Sequence, residues 1–181
     1  MKQILLFFIF FIAVPAMAQI KPLDARNRCE QSPAIVFSYR FTLCLPQPLA
    51  NQTAIAKADD LLIKFYDGSY IFGKVITADM DALPATFDMR RYPEYAFGIR
   101  DLSELPSEQG LKFKNALEIL RGRIPDSKFL KTESGGLTTY LMYGKESAEA
   151  FVVSTDSEQV LQVGFSNIGF DKVQLILKGF K

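Results

Sequence analysis

The stretch Leu61 to Ile76, LLIKFYDGSYIFGKVI, constrains the fold more than any other part of the chain. Two β-rich runs flank Asp67-Gly68, a preferred pair for a two-residue type I′ turn, so the stretch reads as a β-hairpin. Before the turn, Leu61, Ile63 and Phe65 share one face. After it, Ile71, Gly73 and Val75 share one face, and Tyr70, Phe72 and Ile76 lie on the other. An isolated hairpin is marginal in water. The rest of the chain must therefore supply sheet or helix to cover it.

The chain begins with an export pattern. Lys2 precedes an unbroken apolar run, Ile4 to Val14, and Ala16-Met17-Ala18 follows Pro15 as a small-x-small cleavage site. Residues 1–18 thus have the anatomy of a secretory signal peptide. The run is too short to span roughly 30 Å of hydrocarbon as a helix, which needs about 20 residues. Cleavage after Ala18 predicts a mature protein that begins at Gln19, is soluble, and is periplasmic or secreted. No Cys follows the cleavage site, which argues against a lipid anchor, and no second apolar run reaches membrane length.

Residues 19–181 fit one domain with a real core, opened by an irregular, Pro-containing leader over 19–33. With Lys2 removed, the 21 Lys and Arg fall into balance with 20 Asp and Glu. Such a chain carries no electrostatic footprint for nucleic acid or an anionic membrane.

Cys29 and Cys44 survive processing, and in an oxidising compartment two lone cysteines usually pair. Ala34 to Leu45 alternates well, with Ile35, Phe37, Tyr39, Phe41 and Leu43 on one face, and reads as a half-buried strand. The two readings conflict. A straight strand from Ile35 to Cys44 spans about 30 Å. The chain from Ile35 back to Cys29 reaches about 21 Å, and bridged Cα atoms sit within about 7 Å. Either the strand starts nearer Tyr39 or bends, or the thiols stay free; the compartment favours the disulfide.

Ala50 to Ala58 is alanine-rich and suggests a helical turn. Thr77 to Asp101 is long and aperiodic, with Pro84, Pro93 and Gly98, yet too aromatic for disorder. Ser107 is placed to cap a helix with a Phe113, Ala116, Leu117, Leu120 stripe, closed by Gly122 and Pro125. Leu137 to Tyr143, Ala148 to Ser154 and Val160 to Phe165 read as an antiparallel meander, with Ser127 to Glu133 pairing across Gly135-Gly136. Phe170 to Gly179 fits a strand or a helix capped by Asp171; the need to cover a one-sided sheet favours the helix. The expected fold is α+β: a mostly antiparallel sheet of five to seven strands with two packed helices in a single domain.

The chain has no histidine, which removes Ser-His-Asp and Cys-His catalysis and most catalytic zinc sites. It has no Gly-rich phosphate loop and no Cys-x-x-Cys spacing. Carboxylate-pair chemistry remains, with Asp59, Asp60, Asp79 and Asp81 as nominal candidates, but their spacing cannot set them across a substrate. The expectation is therefore no enzyme, no cofactor and no metal. One constellation stands out: Arg90, Arg91, Tyr92, Tyr95 and Arg100 in the long segment. Arg and Tyr are enriched at interface hot spots, and Arg binds carboxylate or phosphate as a fork. The competing reading makes the tyrosines core edge and the arginines solubilising.

An early strand ending in Leu-Pro (Phe41 to Pro46), the strand pair Ala150 to Val153 and Val160 to Val163, and the closing Leu175-Ile176-Leu177 together resemble the PsbP-like α/β/α fold. That resemblance implies architecture, and a non-catalytic binding or assembly role. The functional expectation is an exported protein-binding module, in its sharpest form a periplasmic immunity protein that neutralises a secreted antibacterial toxin. The alternative is a carrier of a small apolar or anionic ligand held between sheet and helices.

Overall fold

The computed structural model describes residues 29, 32–51, 53–57, 60–156 and 158–181. The expected signal peptide and nearly all of the leader lie outside these residues. Along the described chain run β1 (Ala34–Val36), β2 (Thr42–Cys44), α1 (Gln47–Ala50), β3 (Thr53–Lys57), β4 (Leu61–Phe65), β5 (Tyr70–Ile76) and α2 (Tyr92–Ala96). They are followed by α3 (Ser107–Arg123), β6 (Lys128–Ser134), β7 (Leu137–Tyr143), β8 (Ser147–Ser154), β9 (Val160–Ser166) and α4 (Phe170–Leu177). The fold is α+β in one domain, as the sequence predicts.

Seven strands form one sheet in the order β3-β4-β5-β9-β8-β7-β6, every neighbouring pair antiparallel. Two meanders, β3-β4-β5 and β6-β7-β8-β9, join along β5 and β9, where Ile71 faces Phe165 and Gly73 faces Val163. Strand alternation sorts side chains onto two faces. Ile63, Phe65, Ile71, Ala150, Val152, Val163 and Phe165 pack beneath β1–β2, α1 and α4. Ile76, Met142, Phe151, Val153 and Val160 pack beneath α2 and α3. The interior strand β8, next to the central β9, is buried on both faces, which explains its nearly continuous apolar run.

The hairpin of β4 and β5 forms as expected, but its turn differs. Phe65 N–H donates to the Ser69 carbonyl at 2.8 Å and Gly68 N–H to the Phe65 carbonyl at 3.1 Å, leaving a three-residue loop. Gly68 alone takes a left-handed φ, +84°, so the turn is the bulged three-residue kind rather than type I′. The true two-residue turn is at Gly135 and Gly136, with φ of 59° and 78°. It sets Ser134 opposite Leu137.

Ala34 to Leu45 is not one strand. The chain doubles back at 37–41, with Phe37 N–H donating to the Phe41 carbonyl at 3.0 Å, and β1 pairs with β2. This reversal resolves the conflict over the cysteines. Ala34 lies opposite Cys44, so the chain upstream returns toward Cys44. The Cys29–Cys44 disulfide forms across a Cα separation of 5.3 Å.

The alanine-rich stretch is also corrected. Its helix, α1, ends at Ala50, and Thr53–Lys57 becomes the edge strand β3. Pairing with β4 overrides alanine's local preference. In α3, Ser107 is the first helical residue after Pro106 rather than a cap. The helix runs past Gly122 to Arg123, and Ile124 then leaves helical geometry because Pro125 follows it. Phe113, Leu117, Leu120 and Ile124 form its buried stripe, whereas Ala116 is exposed. In α4, Gly169 occupies the cap position and Asp171 lies in the first turn.

The long aperiodic segment folds inward. It contains a 3-10 turn at Met89–Arg91, then α2, then a 3-10 turn at Leu102–Glu104. Leu83, Met89, Tyr92, Tyr95 and Phe97 are all buried. Its aperiodicity reflects short turns packed individually on the sheet and on α3, not a projecting loop.

Candidate functional site

The expected contact residues do not form one surface. Tyr92 and Tyr95 are core, only 8% and 4% exposed. The Tyr92 ring packs edge-on against Phe113 and Phe151, and that of Tyr95 lies against Phe87 and Phe113. Their hydroxyls are also engaged. Tyr92 donates to Asp81, and Tyr95 donates to Glu104 at 3.1 Å. Burial, and then the hydrogen bond to Asp81, push the Tyr92 phenol above the ordinary tyrosine range. Tyr140 reaches across from β7 to Glu94 at 3.1 Å, and Arg100 sits 3.4 Å from both Glu94 and Glu104. These groups close a network that pins α2 to the sheet. Arg90 and Arg91 stay exposed, and both face Asp88, whose carboxylate also accepts the Arg90 backbone N–H.

The nominal carboxylates are spoken for locally. Asp79 accepts from Thr77 and Asp81 from Tyr92. Asp60 is exposed, and Asp59 lies outside the described residues. No group of three or more Cys, Asp or Glu among the described residues is placed to hold a metal ion. Among those residues, no helix is long and apolar enough to cross a membrane.

A roomy concavity lies elsewhere, and its origin is geometric. Seven strands spaced about 4.8 Å apart put roughly 29 Å between the outer two. The eight residues of α4 span only about 12 Å. Together with the small β1–β2 hairpin, α4 covers the middle of that face and reaches β7, where Phe170 stacks on Tyr143 at 4.1 Å and Leu141 is buried, whereas Thr132 and Ser134 of β6 stay exposed. The result is a groove of about 760 Å³ between β6–β7 and α4. Alternation sends Leu130, Thr132 and Ser134 of β6, and Leu137, Thr139 and Leu141 of β7, into it. From α4 and beyond come Gln174, Leu177 and Lys178, at helical spacing, with Phe180 and Lys181. The chain end is held in place: Phe180 bridges to Leu43, and Lys181 exchanges backbone hydrogen bonds with Thr42 at 2.9 and 3.2 Å.

The groove has an apolar floor and a cationic rim. Leu130, Leu137, Leu141, Leu177 and Phe180 supply the floor; Arg40, Lys178 and Lys181 stand on the rim with Asp156. Arg40 pairs with Asp156 at 3.3 Å, and its Nε is buried without a hydrogen-bond partner. Asp156 also accepts from Thr155 at 2.7 Å, and this bond, ahead of the Arg40 charge, holds its carboxyl below the usual range. Sequence reasoning passed over these residues. The available signal was the mixture of leucines and small polar residues, Leu130, Thr132 and Ser134 on one strand and Leu137, Thr139 and Leu141 on the next, sharing one face.

Beside the groove lies a free sheet edge. Among the described residues no strand pairs with the outer side of β6. In a two-residue hairpin the residues flanking the loop form a hydrogen-bonded pair, so Ser134, Thr132 and Leu130 bond inward to β7. The backbone N–H and C=O groups of Phe129, Lys131 and Glu133 therefore point outward. All seven residues of β6 except Leu130 are exposed. No protein-family model and no curated protein matches the chain.

Proposed function

We propose that the chain is an exported, non-catalytic binding module whose partner occupies the groove between β6–β7 and α4. The observation that carries the reading is a groove with a half-buried apolar floor, bordered by a strand edge that no strand among the described residues pairs. The export pattern at 1–18 and the Cys29–Cys44 disulfide support a site of action outside the cytoplasm. A groove open along one whole strand suits a protein segment better than a small ligand, which is usually enclosed over most of its surface. If the partner is a secreted toxin neutralised by this contact, the module is an immunity protein; an adjacent toxin or secretion gene would support that form.

The test compares two photo-crosslinking positions in the purified, oxidised protein: one replacing Thr132 in the groove, one replacing Arg91 outside it. In cell-envelope extract, position 132 is expected to crosslink a discrete protein, and Leu137→Arg to abolish the product. Crosslinking at 91 alone, or a product at 132 that Leu137→Arg leaves unchanged, overturns the groove as the site.

A further inference from the structure

We infer that the occupant is an extended acidic peptide segment of another protein, with acidic and apolar residues alternating, which adds to β6 as an eighth strand. This inference rests on the groove reading above and names the partner's chemistry. Strand addition needs three things: outward backbone groups, room for alternate side chains, and a reason for one strand to fit better than others.

The first two are met on β6. Phe129, Lys131 and Glu133 present their backbone groups to the free edge, at the period an incoming strand requires. Side chains of that strand alternate between faces. One set enters the groove over Leu130, Leu137 and Leu177. The other lies beside Phe129, Lys131 and Glu133 on the opposite face. There Phe129 packs edge-on against Phe97 at 5.0 Å and Lys131 lies over the Tyr140 ring at 5.3 Å. Both side chains are therefore held in place before anything binds.

Charge supplies the third. Around the groove and edge stand Arg40, Lys128, Lys131, Lys178 and Lys181; Arg40 pairs with Asp156 at 3.3 Å and Lys131 with Glu133 at 3.2 Å, which leaves the charges of Lys128, Lys178 and Lys181 in excess. This local excess of cations sits on a chain whose overall charge is +1. Lysine on an edge strand discourages indiscriminate pairing, and an acidic strand is the one it admits. The same charge argues against a second copy. Two β6 strands paired antiparallel about their common centre would set Lys131 against Lys131.

The probe is the peptide acetyl-Val-Glu-Val-Glu-Val-Glu-Val-amide, added to the 15N-labelled, oxidised mature chain. At about ten times its Kd, backbone amide exchange at Phe129, Lys131 and Glu133 should slow about tenfold. Amides of Leu130 and Thr132, already bonded to β7, should change less. The peptide with Lys in place of Glu should give no protection. The acidic peptide N-methylated at the amides facing β6 should also fail, although its side chains are unchanged. Equal protection by the Lys peptide overturns the acidic specificity. Protection that rises with protein concentration in the absence of peptide overturns the choice of partner and indicates self-pairing. If the peptide is inert but decanoate shifts the Leu130 and Leu137 methyl groups, strand addition falls while the groove survives as a ligand site. If neither probe perturbs these residues, the groove reading falls as well.

Discussion

Replacing Arg123, a half-exposed residue at the end of α3, should cost far more than its surface position suggests. Its guanidinium bonds Glu149 of β8, whose side chain is 0% exposed. Gln162 of β9 donates to the same carboxylate. Burial nonetheless dominates: the Glu149 carboxyl is pushed above the ordinary glutamate range, with the Arg123 charge the largest opposing influence. Arg123→Met leaves a buried carboxylate without its cation. Such a loss costs about 3–5 kcal/mol when both partners are buried. Arg123 is 46% exposed, so water screening trims the expected loss to about 2–3 kcal/mol. For a chain of this size that lowers Tm by about 4–12 °C. An ordinary exposed arginine would cost within about 0.5 kcal/mol. The pH dependence has a definite sign. A carboxyl whose folded pKa is raised binds its proton more tightly in the native state, so its ionisation destabilises the fold as pH rises through the raised value. Removing Arg123 raises that value further. The deficit of Arg123→Met relative to the parent should therefore be smaller at pH 5 than at pH 7. Urea unfolding of both proteins at the two values measures this. A deficit of equal size at pH 5 and pH 7 would refute the reasoning, as would Glu149→Gln proving as damaging as Arg123→Met at pH 7.

Phe113→Ala should cost about 3–5 kcal/mol in urea unfolding, because its ring packs against Phe87, Tyr92 and Tyr95 beneath α3. Arg91→Ala, on the exposed side of the same region, should stay within about 0.5 kcal/mol, and a larger loss would show that Arg91 does more than face Asp88. Reducing Cys29–Cys44, which closes a separation of 15 residues, should remove about 3 kcal/mol by loop entropy; unchanged denaturant midpoints with and without reductant would contradict it. Asp67 is held at a pKa of about 2, below 3.8, by the Ser69 hydroxyl and then Lys172. The support its ionised form lends is present above the unfolded value and lost as pH falls toward 2. NMR titration of the Asp67 carboxyl should show the low midpoint, and Lys172→Ala should raise it.

The sequence reveals periodic elements better than elements made by context. The β4–β5 faces follow from side-chain alternation, β7 to β9 from short apolar runs between polar turns, and the α3 stripe from helical spacing. The β3 strand did not show, because alanines carry little strand signal and only pairing with β4 makes them extended. The β1–β2 reversal was hidden by an alternation that runs through the turn: Tyr39 keeps the apolar pattern yet sits at its tip, 59% exposed. The disulfide was the better guide there, since a distance limit constrains the path where side-chain pattern does not. The Arg and Tyr cluster misled because composition cannot separate a hot spot from a core post whose hydroxyl has found a carboxylate. Tyr92 and Asp81 lie eleven residues apart and meet only through the folded turn between them.

The same reasoning locates the open face. The first meander ends at β5, and the chain must reach β6 at the far edge before returning strand by strand to β9 at the centre. The crossing, 77–127, carries α2 and α3 and is long enough to roof one face of β6 to β9. Among the described residues, the other face is covered by a small hairpin tied down by one disulfide, by the short α1 and by the eight residues of α4. α4 stretches from Tyr143 of β7, on which Phe170 stacks, to Phe65 of β4, over which Lys172 lies. Extending α4 toward β6 would need apolar residues in place of Lys178 and Lys181. The chain instead puts cations there, opposite the threonines of β6 and β7. A solvated face needs only polar residues. Leu130, Leu137 and Leu177 lie half-buried below that charged rim, and on this arrangement the proposed binding role rests.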